Sequence, residues 1–459
     1  MLGETDLTSG QQAGVTRLVE WYRTLMVAEM GFGKSVVTLT AIRELMRERV
    51  IERVLIVAPL RVVSSVWGEE VKKWSHLSGL SVELMVGGVK ARERVLDGSA
   101  DIVVTNFEQL PWLFRESKSR GRGLFDGLVV DEISRLRVSG GVQFKALRGA
   151  LKEFTWRVGL TGTPVSEDWR GLFGQMLVVD DGKALGTRAD RYLRRYFYPE
   201  DWNEYKWLLH DWAAARIAAK VRGVVFVAER YSDSLPDITY AREEVVMSEG
   251  AREAYEALRG GGVWNGEPGV EVVAESAAVL SGKLEQLAGG FLYLGEEARE
   301  EVYRFDRVKA RRCVELVREA RAAGGGGVIV CYWYKADLAA LRWVMPWAEV
   351  LSEYKGEALG ELVRRWNRRD GSVPVLLVHP RSAGHGLCLD GGGSRLIWYT
   401  LPWSRDLFVQ TNCRIHRRGQ NHACKVTWLE TVDSIDKVKM ARVDGKAEWE
   451  ALFEEHLGG

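Results

Sequence analysis

The chain has 459 residues, 46% of them hydrophobic, a composition that forms sizeable cores and excludes wholesale disorder. That length accommodates two or three domains. A formal net charge of +1 excludes a global basic field, so any nucleic-acid binding has to come from local patches.

Five scattered cysteines, Cys313, Cys331, Cys388, Cys413 and Cys424, form no C-x-x-C pair, which argues against a disulfide framework or zinc knuckle and for a reduced, intracellular protein. Met1 to Gly10 carries acids and no apolar core, so no secretory signal is expected there. No apolar run approaches membrane-spanning length. The 18 tryptophans are expected mainly in cores and domain contacts.

Gln11-Gln12-Ala13-Gly14-Val15 opens an apolar-periodic helix with Val15, Leu18, Val19 and Tyr22 on one face. A glutamine amide both donates and accepts, so Gln11 could read an adenine edge, although a glutamine at a helix start is more commonly a surface residue. Next comes the apolar run Thr24 to Val27, then Ala28-Glu29-Met30-Gly31-Phe32-Gly33-Lys34-Ser35, then a helical stretch from Val36. Strand, glycine-rich turn and helix are the context of a phosphate-binding loop. Gly31 and Gly33 admit close backbone approach, Lys34 would reach the β- and γ-phosphates, and Ser35 would bind Mg²⁺. Ala28 departs from the general pattern G-x-x-x-x-G-K-[ST], which has glycine there.

Strands and helices then alternate. Strands are predicted at Arg53 to Pro59, Ser81 to Val86, Asp101 to Thr105, Leu124 to Val130 and Arg157 to Leu160, with a helix over Val63 to Trp74. The alternation implies a parallel sheet covered by helices on both faces, with ligands at the strands' carboxyl ends. Asp131-Glu132 and Thr161-Gly162-Thr163 both follow strand ends, as does Lys34. In nucleotide hydrolysis such a pair lets Asp131 hold Mg²⁺ and Glu132 polarise the attacking water. An isolated acidic pair would read as a helix cap, but this one shares its sheet with Lys34.

From Val165 to Leu235 the strand pattern disappears, and arginines mix with aromatics, among them Arg188, Arg191, Tyr192, Arg194, Arg195, Tyr196 and Trp212. Either a nucleic-acid surface or a helical connector fits; interspersed acids such as Glu200, Asp201 and Asp211 favour the connector. A second alternating region starts near Arg307. Strands are expected at Val328 to Tyr332, Val373 to His379, Leu396 to Thr400 and Cys424 to Leu429, and a helix over Leu407 to Ile415. On that helix Arg414 and Arg417 would share a face, as an arginine finger or as a basic helix end.

Taken in order, these stretches resemble superfamily 2 helicase-type ATPases, and within them the Swi/Snf-like DNA translocases. QQAGV looks like the glutamine motif, AEMGFGKS motif I, APLRVVSSVWGEEVKKW motif Ia with its tryptophan helix, and TNFE the family's T-S/N-Y/F-E element. VVDEIS resembles motif II, LTGTP motif III, SAGHGLCL motif V and QTNCRIHRRGQ motif VI. A closer resemblance is to compact members found in phages and prophages, carried by VVDDGKALGTRADRYLRRYF, SLPDITYAREEVVMSEGAREAYEAL, AAVLSGKLEQLAGG, VCYWYKADLAAL and VLLVHPRSAGHGLCLDGGG. Ser134 stands where motif II usually has histidine, Cys388 where motif V usually has asparagine, and Glu167 where asparagine usually follows motif III.

The resemblance implies an α/β protein of two RecA-like parallel-sheet lobes with a helical connecting region: lobe one over residues 1–178, connector 179–300 and lobe two 301–459. It implies ATP and Mg²⁺ as cofactors. Gln11, Ala28, Gly31, Gly33, Lys34 and Ser35 then bind nucleotide, with Ser35 and Asp131 holding the metal. Glu132 directs water, with Lys34 and the lobe-two residues Arg414 and Arg417 in catalysis. Thr161, Thr163 and Gln410 occupy coupling positions, and Thr105, Asn106, Ser382, His385 and Gly386 are the expected DNA contacts. The implied activity is DNA-dependent ATP hydrolysis driving translocation on double-stranded DNA. A strand-separating DNA or RNA helicase and a non-catalytic DNA-binding scaffold are the alternatives. The expected protein is monomeric and cytoplasmic, in a bacterial or phage-infected cell, with no membrane partner. A separate nuclease or other DNA-processing partner is possible.

Overall fold

Apolar runs closed by polar residues build two parallel sheets. The computed structural model describes residues 2–121, 123–137, 140–165, 168–200, 207–229, 235–266, 270–294, 301–383, 387–417, 419–444 and 457. The chain divides into two compact units, Met1–Asp233 with Lys446–Gly459, and Ser234–Gly445.

In the first unit the strands of the main sheet are β1 (Arg23–Val27), β2 (Val54–Ala58), β3 (Val82–Met85), β4 (Ile102–Asn106), β5 (Gly127–Asp131), β6 (Trp156–Thr161) and β7 (Val225–Val227). They lie in the order β3-β4-β2-β5-β6-β1-β7, every neighbouring pair parallel. Alternation along each strand feeds two cores. Leu25, Val27, Leu55 and Val57 pack on one face, and Met26, Ala28, Val54 and Ile56 on the other. Burial on both faces explains why these strands read as unbroken apolar runs.

Two glycines set close spacings in the sheet, Gly127 at the start of β5 and Gly159 within β6. A Cβ at Gly127 would meet Val54 Cγ2 at 2.8 Å, and one at Gly159 would meet Ile133 Cδ1 at 2.6 Å. Gly159 therefore makes the room in which Ile133 seats, and Ile133 opens the short helical turn Ile133–Leu136 that follows Glu132.

Three sequence expectations need correction here. The helix predicted over Val63 to Trp74 is two, Leu60–Ser65 and Trp67–Lys73, separated at Val66 (φ −116°), with the Trp67 side chain fully buried. The stretch from Val165 is not strand-free: β7 pairs with β1, and Phe197–Pro199 forms a hairpin with Trp207–Leu209. These strands are three residues long, too short for alternation to show. The stretch read as a single connector also divides between the units, its later part joining the second.

The strands of the second unit's main sheet are β8 (Ile238–Val245), β9 (Val328–Cys331), β10 (Glu349–Val350), β11 (Val375–Val378), β12 (Arg395–Trp398) and β13 (Cys424–Thr431). Their order is β8-β13-β12-β9-β11-β10, again all parallel. β8, unread in the sequence, is an edge strand of mixed burial whose charges suit an exposed edge. Helix Ala277–Ala288 belongs to this unit because Glu285, nearly fully buried, pairs with the fully buried Lys439. Lys309 and Asp436 form a second buried pair at 2.8 Å. Removing one partner of such a pair strands a charge in the core. Among the described residues no helix is long and apolar enough to cross a membrane.

Candidate nucleotide site

The site begins at β1. The backbone leaves the strand with Ala28 N–H bonded to Thr161 O (3.0 Å) and turns at Gly31 and Gly33, both at φ 92°. Gly33 caps the helix Lys34–Arg47 in the left-handed region that only glycine enters without strain. A Cβ at Gly33 would also stand 2.5 Å from Gln11 Nε2.

Gln11 is buried and locks this loop to the first helix. Its Nε2 donates to Phe32 O (2.7 Å), and its Oε1 accepts from Thr8 N (3.0 Å), while Thr8 Oγ1 accepts from Gln11 N (3.3 Å). This is a capping box whose glutamine also reaches the phosphate loop. An amide has a second donor and further acceptor capacity, so these bonds do not exhaust it. Lys34 Nζ folds over the loop, donating to Ala28 O (2.6 Å) and Glu29 O (3.1 Å). Ser35 is half-buried in the helix's first turn.

The acids come from the next strand but one. Asp131 closes β5, and Glu132 follows at φ 55°, ψ 51°, an uncommon left-handed conformation for a non-glycine residue. Such strain is affordable where the surroundings over-determine it; here Ile133 is fully buried under Gly159 and Ser134 Oγ donates to Glu132 Oε1 at 3.1 Å.

Burial pushes the Asp131 carboxyl up to about 6, opposed by the Lys34 ammonium, the Glu132 backbone N–H and the Trp67 indole. Asp131 keeps some exposed surface but is packed closely enough for desolvation to dominate. Lys34 is thus within electrostatic reach of Asp131. Trp67 Nε1 is buried and closes no hydrogen bond of normal geometry among the described residues, so its effect on Asp131 is that of a nearby dipole. Neither Trp67 nor Ser134 was singled out for this role in the sequence; a tryptophan at a helix start and a serine two residues past an acid are weak signals.

Thr161 and Thr163 lie beside the loop. Thr161 is fully buried at the end of β6, its Oγ1 accepting from Thr163 N (3.1 Å), and Thr163 Oγ1 is buried without a partner among the described residues. At the end of β4, Thr105 is fully buried and its hydroxyl donates to Met85 O (2.9 Å), so this side chain supports the strand from inside. Asn106 is also buried, Nδ2 bonding Glu108 (2.5 Å) while Oδ1 has no partner among the described residues.

The second unit's residues are placed differently from one another. The helix ends at Asn412, so Arg414 and Arg417 lie in the turns beyond Arg405–Asn412 rather than three apart on one helical face. Arg414 is 2% exposed, and its Nη1 donates to Leu387 O (3.1 Å); Arg417 is half-buried. Buried Gln420 closes the segment, Nε2 donating to Ile415 O (2.9 Å), Asp390 O (3.0 Å) and Gly393 O (3.2 Å). Gln410 is 9% exposed. Ser382 is buried, its Oγ bonded to His379 O (2.7 Å); His385 and Gly386 lie outside the described residues.

Residues 11–286 match the model of the SNF2-related domain, more than half of the chain. The chain belongs to this family. As an SNF2-family member it is a nucleotide-using enzyme, a DNA-dependent ATPase of helicase superfamily 2. It is 28% identical over 453 residues to protein p41 of Acyrthosiphon pisum secondary endosymbiont phage 1, covering 94% of each chain. It is 23% identical to mouse chromodomain-helicase-DNA-binding protein 1-like, covering 96% of this chain but 49% of that protein. Among solved structures it is similar to a Sulfolobus solfataricus SWI2/SNF2 ATPase core in complex with dsDNA, at 18% identity and TM-score 0.45, covering 98% of this chain and 94% of that one.

Proposed function

We propose that this SNF2-family chain hydrolyses Mg-ATP to translocate along double-stranded DNA. The observation that carries the reading is the convergence of Lys34 and Asp131 from the turns after two strands of one parallel sheet that flank β6, with Glu132 beside them.

Gly31 to Ser35 present backbone N–H groups and a helix N-terminus to the phosphates, and Lys34 exchanges its carbonyl partners for phosphate oxygens. Gln11, already set against the loop, uses its remaining donor and acceptor on the adenine edge. The Ser35 hydroxyl and the Asp131 carboxylate are hard oxygen donors suited to Mg²⁺. When bound, that ion would offset charge developing on the phosphates. Glu132 orients the attacking water, and Arg414 and Arg417 contribute cationic stabilisation of the transition state. Thr161, Thr163 and Gln410 pass the state of the nucleotide to the rest of the fold.

The mouse relative's name, a DNA-binding helicase, supports DNA as the track. Asn106 and Ser382, with His385 and Gly386, are the proposed strand contacts, and Thr105 supports Asn106 from within β4. Contacts of this kind go mostly to phosphate and carry little sequence information.

The test measures phosphate release with duplex DNA, single strands and RNA, for wild type and Glu132→Gln. Stimulation by duplex and its loss in the variant are expected. No response to duplex would sink the translocase reading, and undiminished turnover in the variant would remove Glu132 from its role. A forked substrate that is displaced rather than merely traversed would make the chain a strand-separating helicase.

A further inference from the structure

The first unit holds a second concave site that the nucleotide chemistry does not use. A cavity of about 370 Å³ is walled by residues 183–188, the helix Ala189–Tyr196 and Lys220. That volume falls within the range of small-ligand sites, roughly 300–1,000 Å³.

Its wall is built rather than incidental. Buried Asp180 accepts from the backbone N–H groups of Gly182 (2.8 Å) and Ala184 (2.9 Å), and Gly186 N bonds Gly182 O (2.8 Å). Gly182 stands at φ 74°, and a Cβ there would meet Gly186 O at 2.4 Å, so this tight loop requires glycine. The buried Tyr192 hydroxyl donates to Trp169 O (2.8 Å), which fixes a tyrosine of the lining.

The lining contains Lys183, Arg188, Arg191, Arg195 and Lys220 and no acid. Arg188 pairs with Asp190, and Lys183 feels Asp181, but Arg191, Arg195 and Lys220 make no ion pair among the described residues. Cations gathered around one cavity repel each other, and a bound anion reverses the sign of that energy.

A row of aromatic rings leads out of the cavity. Tyr196 lines it and lies 6.0 Å from the Trp212 ring; His210 stacks on Trp212 at 5.2 Å and 15°, and Tyr198 follows His210 at 5.0 Å. Trp212 is 44% exposed and Tyr198 42%. Arg216 also sits over the Trp212 ring at 5.1 Å, and an aromatic cluster with exposed rims beside a cationic pocket matches a polymer that alternates phosphates with flat bases.

We propose that this cavity binds a phosphodiester of a nucleic-acid strand, with an unpaired base packed against the exposed Trp212–His210–Tyr198 cluster. The site is separate from the ATP chemistry and does not rest on the translocase reading.

The experiment uses the full chain without nucleotide. It measures binding of a labelled single-stranded oligonucleotide across a salt series, for wild type, Arg191→Glu/Arg195→Glu and Trp212→Ala. All the substituted side chains are exposed, and circular dichroism with basal ATP turnover checks that each variant is folded. The charge reversal is expected to weaken binding at least tenfold and to flatten the log–log salt slope by about 1.4, two contacts at about 0.7 each. Trp212→Ala is expected to weaken single-strand binding roughly 5- to 100-fold. Inorganic pyrophosphate is the second probe. If it competes with the oligonucleotide only weakly, the strand reading stands. If it binds as tightly as the oligonucleotide and Trp212→Ala has no effect, the cavity takes free phosphoanions and the proposal is overturned. Unchanged oligonucleotide binding in the folded charge-reversal variant overturns it too. Duplex stimulation of turnover, read separately in wild type, judges the translocase reading alone.

Discussion

In the first unit, Lys34 opens the helix that follows β1 and Asp131 closes β5: the ammonium rests on two loop carbonyls, and the carboxyl is pushed up to about 6. In the second unit, Arg414 is sealed on a backbone carbonyl, Gln420 ties three further carbonyls, and Arg417 stays half-open. Both units use a parallel sheet, yet one stores electrostatic strain and the other spends polar groups on holding a turn in place. A strained set is primed to exchange partners when a phosphate arrives. The carbonyl contacts of Arg414 and Gln420 hold this turn in place, and Arg417 within it stays less enclosed.

The contrast breaks first at the arginines. Arg417→Ala should cut DNA-stimulated turnover by roughly 10³–10⁵ while leaving the thermal unfolding midpoint in place. Arg414→Ala should lower both, because the Leu387 carbonyl loses its donor inside the fold, a loss of about 1–3 kcal/mol. Turnover and unfolding measured on both variants decide it; intact stability in Arg414→Ala would mean that the turn does not depend on that bond.

In the first unit Glu132→Gln keeps the shape of the side chain and the Ser134 contact while removing the charge. Turnover should fall roughly 10²–10⁴ with nucleotide affinity retained, measured by single-turnover phosphate release beside equilibrium binding of ATP.

Asp131 tests the stored strain directly. Its folded value of about 6 lies above the ordinary 3.8, so between those values the folded chain holds more protons than the unfolded one. Stability therefore falls as pH rises from about 4 to about 6 and then levels. Asp131→Asn removes this penalty. In metal-free buffer the variant should be more stable than wild type above pH 6, by up to about 3 kcal/mol, with the difference closing toward pH 4. Denaturant unfolding at pH 4.5 and 7.5 reads it, and a variant less stable at 7.5 would show that Asp131 is supported rather than strained.

The two units were not equally legible in the sequence. Strands β1, β2, β4, β5 and β6 are buried on both faces, so composition alone marks them. The phosphate loop announces itself because Gly31 and Gly33 both need φ near 92°. Edge strands β7 and β8 gave no such signal: one is three residues long, and the other alternates with exposed charge. The end of helix Arg405–Asn412 goes with Gln420 reaching back to Ile415, a contact between side chain and backbone that no periodicity encodes. Thr105 reads as a strand-end hydroxyl free to meet a ligand, but the neighbouring strand supplies Met85 O and takes it.

Ser134 is the finest point of difference, standing where the resemblance to motif II implies a histidine. Its hydroxyl touches the Glu132 carboxylate at 3.1 Å, while the Glu132 backbone is already held by buried Ile133. The bond therefore sets which way the carboxylate faces rather than whether the turn forms. Ser134→Ala should lower kcat by about tenfold or less, the scale of one ordinary hydrogen bond, and leave KM for ATP unchanged. The decisive measurement is a double-mutant cycle. If the hydroxyl acts only by orienting a charged Glu132, adding Ser134→Ala to Glu132→Gln should cost little more, because the group being oriented has already lost its function. A full additional loss in the double variant would mean that Ser134 acts on something other than Glu132.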